Sequence, residues 1–106
     1  MNKYEAAMKA CAECMTACAH CMDMCFGKED MAQCGRTSRD SMLINAATAQ
    51  ALAADAPTAQ HFVRACIEVC KVCLSDCAEH EDEHDHCRMC AEGCRRCIAE
   101  LEKVAA

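Results

Sequence analysis

The stretch ACAECMTACAHCMDMC, residues 10–25, holds five cysteines separated by alternating steps of three and four residues. This alternation is the rhythm of the inward-facing positions of helices that pack into bundles. The same rhythm recurs in two later segments, residues 66–77 and 87–97. The sequence therefore predicts three helices that each carry a stripe of thiols on one face.

The rest of the chain favours helices joined by short turns. Good helix formers dominate, and the chain has only three Gly and one Pro. Gly27 is expected to end the first helix, and Pro57 to begin the third with Asp55 or Ala56 as its cap. The charged segment EHEDEHDH, residues 79–86, is expected to form a turn. Four helices follow from these limits, near residues 3–26, 29–54, 58–80 and 84–104.

Short connections make consecutive helices antiparallel neighbours. The predicted fold is all-α: a single domain, residues 1–106, that forms an antiparallel up-down-up-down four-helix bundle with a cysteine-lined core. The second helix differs from the others because its only cysteine is Cys34. The same face then presents residues without thiols: Ser38, Ser41 or Met42, Asn45, Ala49 and Leu52.

The composition argues against several classes of partner. A net charge of −6 disfavours nucleic acid, which requires a basic face. The sequence has neither a long apolar run nor a Lys/Arg cluster, the two features that would indicate contact with a membrane. Fourteen cysteines in 106 residues are typical of secreted disulfide-rich proteins. The start MNKYEAAMKACAEC lacks the apolar run of a signal peptide, so we expect a cytoplasmic protein with reduced thiols.

Thirteen inward thiols indicate metal binding rather than packing or disulfide formation. One or two buried cysteines are ordinary small apolar residues, but thirteen on three stripes are not. Thiols three or four residues apart on one helix are poorly placed for a disulfide. The cytoplasm would also reduce most bridges between helices.

The spacing differs from that of common zinc and iron–sulfur sites. A structural zinc site takes four ligands, usually from two compact pairs of residues. Such pairs are present here, for example Cys87/Cys90 and Cys94/Cys97, but they lie within a continuous ladder of cysteines. An iron–sulfur cluster needs only four thiolates and usually a loop around them. A ladder of soft ligands suits Cu(I) best. The 14 thiols would hold about 7 Cu(I) ions with terminal two-coordination, or about 14 with full sulfur bridging.

Three features resemble the bacterial copper storage proteins: the CxxCxxxCxxC ladders, the segment CGRTSRDSM at residues 34–42, and the C-x-x-H…HC-x-x-C link at residues 77–90. The resemblance covers nearly the whole chain and is to the cytosolic branch of that family. It implies a cysteine-lined bundle that stores multiple Cu(I) ions and a homo-tetrameric assembly. A copper chaperone is a further candidate partner. The chain has fewer cysteines than the richest members, which implies a smaller capacity.

The two ends of the predicted bundle differ in chemistry. One end carries the turns at residues 26–30 and 80–86 together with Cys25, Cys34, Cys77, Cys87, His80, His84 and His86. The other end carries an apolar plug of Tyr4, Ala7, Leu52, Phe62, Val63, Leu101 and Val104. The three histidines are either ligands for ion uptake or solvated turn residues. The resemblance favours His80 and His86 as ligands over His84, while His20 and His61 are expected on the surface.

The predicted metal ligands are all fourteen cysteines and the three clustered histidines: Cys11, Cys14, Cys18, Cys21, Cys25, Cys34, Cys66, Cys70, Cys73, Cys77, Cys87, Cys90, Cys94, Cys97, His80, His84 and His86. Met8, Met15 and Met22 recur every seven residues beside the first stripe, where helix packing is the favoured role over Cu(I) ligation. No catalytic constellation is present, so we predict Cu(I) storage rather than an enzyme. The alternatives are a general sink for Zn(II) or Cd(II), as in metallothionein, and a thiol redox protein.

Overall fold

The computed structural model describes residues 2–106 as four long helices. These are α1 (Glu5–Cys25), α2 (Ala32–Ala53), α3 (Ala59–Ala78) and α4 (Asp85–Val104), and a 3-10 turn (Glu29–Met31) precedes α2. Both α1 and α3 pack against α2 and against α4, so consecutive helices are neighbours. The molecule measures 40 × 19 × 19 Å, which is one helix long and two helices wide. The predicted all-α four-helix bundle is confirmed.

The connection between α1 and α2 is longer than the sequence predicts and spans residues 26–31. α1 ends at Cys25, and Gly27 adopts a left-handed conformation (φ 79°) that glycine tolerates without strain. α2 begins at Ala32 rather than at residue 29, because Glu29–Met31 form the 3-10 turn instead of a first α-helical turn.

The cap expected for α3 is wrong. Asp55 and Ala56 instead close the end of α2, through N–H bonds of 3.1 and 3.0 Å to the carbonyls of Leu52 and Ala51. Asp55 has a left-handed backbone (φ 48°), as the position after a helix with this Schellman pattern requires. The N–H groups of both residues therefore bond to α2, and α3 begins only at Ala59 with Thr58 as its N-cap.

The core is made largely of thiols. All fourteen cysteines are unbridged, and none is more than 3% exposed. An apolar plug closes one end of the bundle and consists of Tyr4, Ala7, Leu52, Val63 and Leu101. Phe62 and Val104, also predicted there, are only half-buried. No helix in residues 2–106 is long and apolar enough to cross a membrane.

The three methionines beside the α1 stripe occupy positions suited to packing. Met8, Met15 and Met22 are all half-buried, and Met8 packs against the core. The buried core cluster contains Cys11, Cys14 and the other cysteines of the stripe but none of these methionines.

Candidate metal centre

The cysteine stripes of α1, α3 and α4 converge on the bundle axis and form a column of thiols. Along one helix, the Sγ atoms of Cys14 and Cys18 lie 3.8 Å apart. Across helices, Cys18 and Cys90 are 3.4 Å apart, and Cys34 and Cys77 are 3.3 Å apart. Thiols of the column therefore have close neighbours on facing helices and, in α1, α3 and α4, also on their own helix.

Groups of three or four ligand atoms within this column lie within 4.8 Å of one another. The groups include Cys18/Cys73/Cys90/Cys94, Cys11/Cys66/Cys97, Cys14/Cys70/Cys94, Cys21/Cys34/Cys87 and Cys21/Cys25/His86. Every one of them combines residues from at least two helices. Cys94 and Cys21 each belong to two groups, so their sulfur atoms can bridge two ions.

The spacing of the thiols fits shared metal coordination. Metal–thiolate bonds of about 2.3 Å place sulfur atoms about 4.0 Å apart in a trigonal site and about 4.6 Å apart in a linear one. The Cys11–Cys97 and Cys14–Cys94 pairs are separated by 3.8 and 3.9 Å. These two distances lie near the trigonal value, so both pairs suit a three-coordinate site.

One side of the column is lined by α2 and carries hydroxyl and amide groups in place of thiols. We call Ser38, Ser41 and Asn45 the polar wall; all three are fully buried. The thiol of Cys18 donates to Ser41 Oγ at 3.3 Å, and Ser38 Oγ lies 3.7 Å from Cys90 Sγ. The sequence identified this face as lacking soft ligands but not its hydrogen bonds to the thiols, which depend on how the helices are staggered.

Asn45 has a distinct place in the polar wall because its amide contacts two of the three-thiol groups. Its Nδ2 lies 3.4 Å from the Sγ atoms of both Cys14 and Cys70. Its Oδ1 accepts from the thiols of Cys66 (3.4 Å) and Cys97 (3.0 Å). The amide thus orients four thiols at the deep end of the column.

Burial and contacts between the thiols shift their pKa values in opposite directions. Burial raises the pKa of Cys25 and of Cys87, the latter to about 12. Hydrogen bonds from Cys66 and Cys97 lower the pKa of the Cys11 thiol to about 5, and the bond to Cys11 raises the pKa of Cys66. A thiolate is therefore stabilised where its neighbours keep their protons. Binding of several metal ions has to displace most of these protons.

The end of the bundle with the turns at residues 26–31 and 79–84, here called the mouth, brings one histidine into the thiol column. His86 is 5% exposed, and its Nδ1 lies 3.5 Å from the Sγ atoms of Cys21 and Cys87. Its Nε2 is buried without a hydrogen-bond partner in the part of the chain described. A buried nitrogen of this kind is available to a metal ion.

The other mouth histidines extend outward from His86. The ring of His84 stacks on that of His86 with centroids 5.2 Å apart, and the rings of His80 and His84 are 6.5 Å apart. Both outer rings are half-buried. His20 and His61 are exposed.

Comparison with known proteins identifies the family. The family model described as "Copper storage protein" matches residues 1–106. The chain is 33% identical over 110 residues to the uncharacterized cysteine-rich protein YhjQ of Bacillus subtilis (strain 168), and the match covers 100% of both chains.

Two solved structures show how far the similarity extends. The Cu(I)-bound copper storage protein BsCsp3 superposes with a TM-score of 0.91 at 31% identity, over 99% of this chain and 100% of that one. A cytosolic copper storage protein from Streptomyces lividans, with five coppers, has a TM-score of 0.87 at 32% identity, over 94% and 89% of the two chains. With its full-length match to the family model and its buried column of fourteen thiols, the chain belongs to the copper storage protein family.

Proposed function

We propose that this protein stores multiple Cu(I) ions in the cytoplasm, bound to thiolates that line the bundle core. The observation that carries the proposal is the column of overlapping three-thiol groups, in which Cys94 and Cys21 are shared. Cu(I) is a soft ion that suits thiolate ligands. The cytoplasmic location is supported by the similarity to the cytosolic protein of Streptomyces lividans.

Charge balance favours a monovalent ion in this core. A buried charge without a partner costs much free energy. When one Cu(I) ion replaces one thiol proton, the net charge of the buried column does not change. A closed Zn(II) site with four thiolates would instead leave two negative charges in the core, because four protons leave and one divalent ion enters.

The alternative with a specific observation in its favour is a zinc or cadmium site. Cys18, Cys73, Cys90 and Cys94 form a group of four sulfurs, the number that a closed tetrahedral zinc site uses. The three-thiol groups elsewhere in the column do not offer this number. Zn(II) would therefore occupy few positions, whereas Cu(I) would occupy many.

Anaerobic titrations distinguish these functions. Reduced protein is titrated with Cu(I) and, separately, with Zn(II), each in the presence of a strong competing chelator. Storage predicts many equivalents of Cu(I) and only a few of Zn(II). Comparable numbers of both ions would favour a general metal sink. Defined pairs of thiols that cycle between reduced and disulfide forms, with little metal retained, would favour a redox protein.

We further propose separate roles for the cysteines and the mouth histidines. All fourteen cysteines are ligands of stored Cu(I), with His86 joining Cys21 and Cys25 at the mouth. His84 and His80 pass ions to that group, because a neutral imidazole binds Cu(I) less strongly than a thiolate does. No step of catalysis is involved.

A pair of variants tests this division. Replacing His80, His84 and His86 together by Ala is expected to slow uptake and release while most of the capacity remains. Cys18→Ser with Cys94→Ser is expected to lower the number of bound ions while initial rates stay nearly normal. A triple histidine variant that loads and unloads at the parent rate would show that these histidines take no part in uptake.

The assembly and partner are also proposals. We infer a homo-tetramer and delivery of Cu(I) by a copper chaperone, on the basis of membership of this family. Light scattering coupled to size-exclusion chromatography should give four times the mass of one chain. A monomer at micromolar concentration would contradict the tetramer without affecting the storage proposal.

A further inference from the structure

The mouth has a strongly acidic turn on one side and, on the other, a cavity whose lining has an excess of cations. The turn between α3 and α4 carries the histidines among acidic residues: Glu79, Glu81, Asp82, Glu83 and Asp85. The opposite side, between the end of α1 and the start of α2, holds an open cavity of about 430 Å³. Its lining includes three cations, Lys28, Arg36 and Arg39, and one anion, Glu29. A positive cavity is unusual in a chain whose net charge is −6.

The cations of this cavity are only partly neutralised. Arg39 forms an exposed ion pair with Asp40 at 3.0 Å. Arg36 donates to the neutral side chain of Gln33 at 3.2 Å, so its charge is retained. Lys28 is exposed on the same rim. Clustered charges of one sign raise the local concentration of oppositely charged ligands.

The cavity also reaches the thiol column. Cys25 forms part of its wall although the residue is only 3% exposed, and it belongs to the Cys21/Cys25/His86 group. Gly35 lies on the same wall, where a Cβ atom would come within 3.1 Å of the Cys25 Cβ. The absence of a side chain at this position therefore leaves room for Cys25 beside the cavity.

We propose that this cavity binds an anionic complex of Cu(I) with a small, carboxylate-bearing thiol and transfers the ion to Cys25. The inference rests on the proposed storage function. The volume lies in the range of small-molecule sites and is too small for a folded protein domain. The carboxylates of the ligand pair with Lys28 and Arg36, while the acidic turn on the other side of the mouth repels the same complex.

The transfer is a ligand exchange without a change of oxidation state. A bond between Cu(I) and one small thiolate breaks as a bond between Cu(I) and Cys25 Sγ forms. The proton of the Cys25 thiol passes to the departing thiolate, which leaves as a thiol. A second exchange within the Cys21/Cys25/His86 group then releases the remaining small thiol.

The test compares donors of opposite charge. Reduced protein is mixed anaerobically with Cu(I) bound to glutathione, which is anionic, or with Cu(I) bound to acetonitrile, which is cationic. The initial rate is followed through the ultraviolet absorbance of Cu(I)–thiolate bonds. The variant Lys28→Gln/Arg36→Gln removes two cavity charges, and Lys9→Gln/Lys71→Gln removes two exposed charges elsewhere as its matched control.

We expect the cavity variant to take up copper from glutathione about tenfold more slowly at low salt, with the difference shrinking as salt is added. Its rate with acetonitrile-bound copper should stay within about twofold of the parent rate, and its capacity should be unchanged. Cys25→Ser should slow transfer from glutathione further.

Three results would overturn the inference. These are equal slowing with both donors, equal slowing by the control variant, and no slowing at all. Parent protein that fills from acetonitrile-bound copper but not from glutathione-bound copper would also overturn it, while leaving storage intact. Parent protein that fills from neither donor would instead contradict the storage function.

Discussion

α2 and the other three helices contribute differently to the same core. α1, α3 and α4 direct thirteen thiols at the bundle axis, whereas α2 contributes Cys34 and then the polar wall of Ser38, Ser41 and Asn45. Both kinds of wall are fully buried. A serine in this wall is about as small as a cysteine and equally buried, but it offers a hydrogen-bonding hydroxyl in place of a soft metal ligand.

This difference separates the stability of the core from its metal capacity, two properties that would both depend on the thiols if they lined every wall. Buried polar groups are tolerated when they are hydrogen-bonded, and those of the polar wall are paired largely with thiols. We therefore expect the polar wall to stabilise the metal-free bundle and the thiol walls to set its metal capacity.

The largest effect on stability is expected at Asn45. Asn45→Ala removes the partner of four thiols and leaves a void, which should lower the free energy of unfolding of the metal-free protein by about 2–4 kcal/mol. Chemical denaturation in reductant, followed by far-UV circular dichroism, measures the change. The control Gln50→Ala alters an exposed residue of the same helix and should change stability by less than about 0.5 kcal/mol. Equal effects would show that the polar wall is not a stabilising element.

Adding thiols to the polar wall should raise the capacity. Ser38→Cys with Ser41→Cys places two more sulfurs against the column and is expected to add about two Cu(I) ions under full bridging. Native mass spectrometry counts the ions. Ser75→Cys, which adds an exposed thiol on α3, is the control and should add no ion that resists a strong chelator. No gain from the buried pair would mean that α2 does not limit the capacity.

The thiol walls should make the metal-free protein less stable to unfolding at high pH. Unfolded thiols lose their protons near pH 9.0, while burial holds the pKa of Cys87 at about 12 and raises that of Cys25. Between these values the unfolded chain binds fewer protons than the folded one, so the free energy of unfolding falls as pH rises from about 9 to about 12. Denaturation midpoints at pH 7.5 and 10 measure the slope. Cys25→Ser/Cys87→Ser should reduce it, and an unchanged slope would contradict the assignment to these thiols.

The smallest effect is expected outside the core. Arg95 pairs with Glu81 at 2.8 Å on the exterior and lowers the pKa of that carboxyl. Its contribution is present above the ordinary Glu pKa of 4.5 and is lost as pH falls through the lowered value. Because exposed ion pairs contribute little, Arg95→Ala should leave the denaturation midpoint at pH 7 almost unchanged. A loss comparable to that of Asn45→Ala would refute the view that the core dominates stability.

The fold could be predicted from the sequence because the three-and-four spacing of cysteines allows only one inward face for each of three helices. Helix ends were less predictable. The role of Asp55 depends on a left-handed backbone at the end of α2, and Glu29–Met31 form a 3-10 turn that periodicity does not reveal.

That the cysteines face the core could be predicted, but their grouping could not. Which thiols meet depends on the stagger of facing helices, as in the Cys14/Cys70/Cys94 group drawn from α1, α3 and α4. His86 is buried because it lies beside Cys87 in the first turn of α4. The sequence places three histidines in one segment and does not show which of them is buried.

The central claim is that the thiol column holds many Cu(I) ions inside an already folded bundle. Anaerobic native mass spectrometry of the chain, loaded with excess Cu(I) and then exposed to a strong chelator, tests it most directly. The account predicts between about 7 and about 14 retained ions per chain. The charge-state distribution should be narrow and the same before and after loading. Retention of about four ions or fewer, or a metal-free protein with the broad distribution of an unfolded chain, would contradict it.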